Sequence, residues 1–276
     1  MHAALPYYIV NAFTESIFGG NPAAVMVLDQ WLSDESMQAL AMQHNLSETA
    51  FLVKQSDNTF ALRWFTPVAE VPLCGHATLA AAHVLKSELG VTGHLLRFQT
   101  RFRGSLFANE EAHGIAVDLP ALSCQRHDVE GAVEKALGAK VVSAVRPVGD
   151  PWQVIYELQS ETAVRELQPD IPALATAVNH CVIVTARGSE TDFVSRMFAP
   201  NLGVDEDPVT GSAHCLLAPF WAQRMGGKLL SAEQCSVRGG RLSCVIEGDR
   251  VKLVGQAVTF AVGHITADVL GGRQTA

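Results

Sequence analysis

The sequence predicts an α+β fold of two similar domains, each a sheet curled around one buried helix. Three observations predict it. First, RWFTPVAEVPLCGHATLAAAHVL (63–85) nearly recurs as RMFAPNLGVDEDPVTGSAHCLLAPFW (196–221). Both open on R-x-F-x-P and reach a Gly-polar-Ala turn, Gly75-His76-Ala77 and Gly211-Ser212-Ala213. The offset is 133 at the arginines (196 − 63) and 136 at the glycines (211 − 75), so the second copy carries three extra residues, expected in the acidic VDEDPV stretch. Second, the segments after both glycines are apolar around almost their whole circumference, as a buried helix is. Third, the rest of the chain reads as many short strands and few helices.

Taken in order, YYIVNAF, AAVMVLD, TAFLVKQ and FALRWFT are rich in β-branched and aromatic residues and read as strands. Between them SDESMQALAMQHN is helical, with Ser33 as cap and Met37, Leu40 and Ala41 on one face. HLLRFQT, GSLFANE and HGIAVDLP form a meander ending at Pro120. ALSCQRHD has no periodicity and reads as a linker. Beyond it come a helix near 129–138, the strand WQVIYELQ, a helix near 160–179, and the strands CVIVTAR and DFVSRMFA. In the second repeat, Pro219 is expected to kink the helix. The last third is a hairpin series with Gly-Gly and Gly-Asp turns.

Composition bounds the function. The 276 residues suffice for one large domain or two of ordinary size, with 48% hydrophobic residues to fill a core. The net charge of −8 and the lack of a basic cluster argue against nucleic-acid or anionic-membrane partners. No apolar run approaches the ~20 residues of a membrane span, and the N-terminus lacks a signal-type pattern. Six scattered cysteines with no C-x-x-C pair read as reduced thiols of a cytoplasmic protein.

A helix start exposes backbone N–H groups that no intrahelical carbonyl satisfies. No Ser, Asp or Asn precedes Gly75 to cap its helix, so its donors suit an anion, and Gly75 permits close approach. Completion by water or a neighbouring loop is the alternative. His83 follows His76 by seven residues on roughly the same face, but two histidines without a third ligand at a recognised spacing predict no metal.

FGGNPAAV (18–25), SETAF (47–51), EVPLCGHAT (70–78) and EDPVTGSAH (206–214) together resemble the phenazine-biosynthesis isomerase family, the PhzF-like proteins. The motifs stand in family order and the similarity runs over almost the whole chain. The resemblance implies the diaminopimelate epimerase-like fold: two pseudo-symmetric domains, each an antiparallel sheet or barrel around a central helix, with the site in the cleft between them. It also implies cofactor-independent isomerisation by proton transfer at carbon of a small carboxylate, and homodimers. The domains are expected at 1–119 and 120–259, with the terminal strand (260–276) returning to the first.

Glu48 matches the family's catalytic acid/base. Moving a proton between two carbons needs one group that takes it and returns it, and a carboxyl serves if burial raises its pKa. Without the match, Glu48 would read as an exposed strand-start glutamate. His76, at a helix start that favours its neutral form, is a substrate-binding candidate with Gly75; the competing reading is a buried, satisfied histidine. Asp207 reads either as an N-cap before Pro208 or, by resemblance, as a ligand for a substrate amine or hydroxyl, beside Gly211 and Ser212. Glu70 recurs in the family pattern and reads as structural support. Cys74 raises the rival two-thiol epimerase, but the second copy offers no matching thiol, so Cys74 reads as a packed core residue. A third reading is a non-enzymatic scaffold that binds a protein partner.

Overall fold

A computed structural model describes residues 4–149 and 151–266. The chain divides into two compact units, one of residues 1–18, 22–117 and 256–276, the other of residues 19–21 and 118–255. Of the terminal strand expected at 260–276, residues 267–276 lie outside the described residues.

The first unit carries β1 (Leu5–Ala12), β2 (Asn21–Leu28, whose first residue belongs to the second unit), α1 (Asp34–His44), β3 (Glu48–Ser56), β4 (Thr59–Phe65) and β5 (Glu70–Val71). Then come α2 (Gly75–His83) with a π-helical turn, Val84–Glu88, and β6 (Leu95–Thr100), β7 (Ser105–Glu111) and β8 (Gly114–Pro120), whose last three residues belong to the second unit. The second unit holds β9 (Cys124–His127), α3 (Gly131–Leu137), β10 (Val141–Pro147), β11 (Gln153–Leu158), α4 (Glu161–Arg165) and α5 (Ile171–Ala177). It continues with β12 (Cys181–Arg187), β13 (Phe193–Ala199), β14 (Val204–Asp207), α6 (Gly211–Met225), β15 (Leu229–Gln234), β16 (Gly240–Glu247) and β17 (Arg250–Gly255). The final strand, β18 (Ala257–Ile265), pairs with β1 of the first unit.

The repeated sequence is the visible part of a repeated topology. In the first unit β2 and β3 run parallel across α1, β3 and β4 form an antiparallel hairpin, and β4 and β6 run parallel across α2. In the second, β11 and β12 are parallel across α4 and α5, β12 and β13 antiparallel, and β13 and β15 parallel across α6. Each sheet is therefore mixed rather than purely antiparallel, because a helix that crosses back over its sheet delivers the next strand in the same direction.

Both repeat helices are buried as their composition demands. Gly75 to Ala82 are buried without interruption in α2, which packs against β1, β3, β7 and β18. In α6 nine residues are buried, against β9, β15, β16 and β17. By contrast α1 is amphipathic: Met37, Leu40 and Ala41 face Met26, Phe51 and Phe65, and Ser33 caps it by accepting from Ser36 N–H.

Two further sequence expectations change. The linker at 121–128 contains β9, antiparallel to β10, which itself went unassigned; a four-residue polar strand carries no periodicity to read. The helix expected over 160–179 is two, because Pro169 bars helical geometry at the residue before it and Asp170 caps a new start by accepting from Ala173 N–H. The helix α6 runs on through Pro219. Proline leaves the carbonyl four residues back without its helical donor, and the Leu122 N–H supplies one to Cys215 O at 2.9 Å. Leu122→Pro should therefore lower stability by about 1–3 kcal/mol, read as a shift in urea midpoint.

Among the described residues, no helix is long and apolar enough to cross a membrane.

Candidate active-site residues

In the first unit, chain topology places three chemically active side chains together. Glu48 opens β3 just ahead of the buried run Thr49–Leu52, so its carboxylate stands at the sheet's end, side chain 17% exposed. Cys74 is the N-cap of α2 and His76 its second residue, both buried. His76 Nε2 lies 3.2 Å from Glu48 Oε2, and Cys74 Sγ lies 3.5 Å from His76 Nδ1. Burial pushes the His76 pKa down to about 3. The imidazole is neutral at working pH, so its 3.2 Å contact with Glu48 is not an ion pair. Neutrality was expected from the helix dipole, but desolvation is the cause.

The α2 start lacks a side-chain cap, as its sequence implies, and has no acidic residue in its first turn. Its first backbone bond runs from Thr78 N–H to Cys74 O (3.2 Å). The Thr78 hydroxyl donates to the same carbonyl at 2.5 Å. His83 does not join His76: its Nε2 meets the Thr259 hydroxyl at 2.9 Å, on β18.

In the second unit Asp207 ends β14, and the helix-capping reading fails. The N-cap of α6 is Thr210, three residues on, and its side chain does not cap either. Instead, the Asp207 carboxylate accepts from Asn21 Nδ2 at 2.9 Å and from the Thr210 hydroxyl. Gln234, fully buried, donates to Asp207 O (2.7 Å) and accepts from Thr210 N–H (2.9 Å). Asn21, also fully buried, further donates to Val209 O at 2.9 Å. Ser212 is half-buried at the second position of α6, after buried Gly211. His214 repeats the part of Thr78, its Nδ1–H donating to the Thr210 carbonyl at 2.8 Å, and burial pushes its pKa down to about 4.

Desolvation raises the Asp207 pKa to about 6, against the opposing hydrogen bonds from Thr210 and Asn21. A carboxyl with a raised folded-state pKa binds its proton more tightly when folded. Its cost to stability is therefore absent below about pH 3.8, grows through about pH 6, and is constant above. Asp207→Asn should stabilise the protein by about 1–3 kcal/mol at pH 7.5 and hardly at all at pH 4. Urea midpoints at the two pH values check the sign.

Register shows which residues the two copies exchange. Trp64 pairs with Val71, and its counterpart Met197 (64 + 133) pairs with Asp207. Asp207 thus replaces Val71 rather than being inserted. The extra residues fall just before it, in a 3-10 turn, Pro200–Leu202, closed by Gly203 at φ 78. The same offsets set Glu48 against Cys181, Cys74 against Thr210 and His76 against Ser212. Glu70 gains a role and a twin. Arg63 grips it through two bonds (2.8 and 2.7 Å), and Arg196 grips Glu206 likewise (2.7 and 3.0 Å).

Asn21, Thr210 and Gln234 were not singled out from sequence. Asn21 and Thr210 lie within FGGNPAAV and EDPVTGSAH, but Gln234 sits in an unremarkable strand with no signal.

The phenazine biosynthesis-like protein family model matches residues 10–263. An uncharacterized isomerase of Pseudomonas aeruginosa is 50% identical over 261 residues, covering 95% of this chain and 98% of that protein. A crystal structure from Enterococcus faecalis, of the phenazine biosynthesis protein PhzF family, is 43% identical with TM-score 0.90, covering 96% of this chain and 100% of that one. A predicted epimerase of Pseudomonas aeruginosa, 21% identical, shares the fold at TM-score 0.71, covering 95% of this chain and 99% of the other. The chain therefore belongs to the phenazine biosynthesis-like family of PhzF-type isomerases, in the fold that this family shares with epimerases.

Proposed function

We propose that the protein is a cofactor-independent isomerase that moves a proton between two carbons of a small carboxylate-bearing metabolite, with Glu48 as the single acid/base. The observation that carries this reading is the Glu48 carboxylate held 3.2 Å from a buried, neutral imidazole. A neutral His76 flanks the Glu48 carboxylate at contact distance without fixing its proton state by charge. As carboxylate, Glu48 takes the proton from one carbon, and the electron pair left behind delocalises towards the substrate's carboxylate. As carboxylic acid, its side chain 17% exposed, it exchanges that proton with water and delivers one to another carbon, and the starting enzyme is regenerated.

Substrate binding is assigned to Gly75, His76, Asp207, Gly211 and Ser212. Backbone N–H groups at a helix start favour an anion most where water is excluded, and so favour charge gathering on the substrate carboxylate as the proton leaves. Asp207 accepts from an amine or hydroxyl of the substrate.

The two-thiol epimerase mechanism is disfavoured by what occupies the position of Cys74 in the second copy. Its counterpart is Thr210, whose hydroxyl is committed to Asp207. Cys215, one turn into α6, is buried and its pKa is pushed up to about 12 by desolvation. A thiol so hard to ionise is a poor base.

The test is a screen of small mono- and dicarboxylates in deuterated water, followed by mass spectrometry. A gain of one mass unit in a substrate or its isomer supports the reading. Cys74→Ala should lose far less turnover than Glu48→Gln on the compound so found, and the reverse order would favour the thiol mechanism.

A further inference from the structure

We propose that Glu48, Cys74 and His76 also form a binding site for a thiophilic divalent cation, zinc above all, which switches the acid/base centre off. A sulfur, an imidazole nitrogen and a carboxylate oxygen from these three residues lie within 4.8 Å of one another. Among the described residues, this is the one cluster of three such groups.

The distances favour a metal of tetrahedral habit. With Zn–S near 2.3 Å and Zn–N near 2.0–2.1 Å, the S···N edge of a tetrahedron is about 3.5–3.6 Å. Cys74 Sγ and His76 Nδ1 are 3.5 Å apart, so both can ligate without moving. The extended backbone at Cys74 (φ −145°, ψ 112°) turns into the helix at Gly75, and this turn aims the two side chains at one point. Glu48 completes the set by rotating from Nε2 to the Nδ1 side of the ring. Water or a small anion takes the fourth position, as in zinc sites that keep an open place.

Charge and donor type select the ion. The thiol releases its proton to the buffer on binding, and thiolate plus carboxylate then supply two negative charges against the cation's two positive ones. The α2 start opposes a cation with only about half an elementary charge. Sulfur and nitrogen donors exclude magnesium and calcium, which require oxygen ligands.

The inhibitory consequence rests on the assignment of Glu48 as acid/base, since the metal removes the carboxylate from the proton; the binding itself does not. Metal-stripped protein is titrated with Co²⁺, whose thiolate charge-transfer band reports a sulfur ligand, and the cobalt is then displaced with Zn²⁺. One equivalent should bind with that band. Cys74→Ser should abolish the band, Cys235→Ser should keep it, and Cys74→Ser and His76→Gln should each weaken zinc binding by at least ~10-fold. No band in the wild type, or a band that survives Cys74→Ser, overturns the proposal. Neither readout uses turnover. An active Glu48→Gln enzyme would refute the proton-transfer assignment and leave the metal site standing, while an inactive one in a protein without the band would do the opposite.

Discussion

Glu48→Gln should abolish nearly all turnover, by ~10²–10⁴-fold or more, while leaving folding and ligand binding largely intact. The amide keeps the shape of the carboxyl, so the start of β3 has no reason to rearrange. What it loses is the ability to hold a proton and give it back. Circular dichroism and ligand-induced thermal shifts should match the wild type. Retention of more than about a tenth of the rate would remove Glu48 from the chemistry.

Arg196→Ala should cost about 3–5 kcal/mol of stability, the usual result of breaking a buried ion pair from one side. Arg196 is 8% exposed and makes two bonds to Glu206. Its Nη1 also donates to the Val164 and Leu167 carbonyls at 3.3 and 2.6 Å, near the end of α4. Alanine would strand a carboxylate and two carbonyls at once. Arg196→Lys should recover only part of the loss, since an ammonium cannot reproduce the two-pronged geometry. A wild-type urea midpoint in the alanine variant would show that the pair is structurally idle.

Legibility of this chain in its sequence follows physical rules. Strands with β-branched runs and α1, whose Ser33 cap and apolar face are local features, could be read directly. The two buried helices could also be read, because an all-round apolar segment has one place to go. The polar four-residue β9 could not, since its pairing with β10 is a tertiary fact without periodicity. The break at Pro169 competes with the helical pattern on both sides of it. At the site, Glu48, His76 and Asp207 stood in motifs, but the groups that set their environment did not. Gln234 lies 27 residues beyond Asp207 and reaches it only because β15 returns beside β13. The Glu70 and Glu206 pair illustrates the same limit: the repeat was visible, and its structural purpose became clear only with both arginines in place.

The most direct measurement is the position of deuterium in product formed in deuterated water by the wild type and by Glu48→Gln. Isomerisation by a single carboxyl places it on a carbon other than the one that lost its proton, and the variant should incorporate none over the same time. Deuterium on the original carbon with inverted configuration, or incorporation that persists without Glu48, would contradict it.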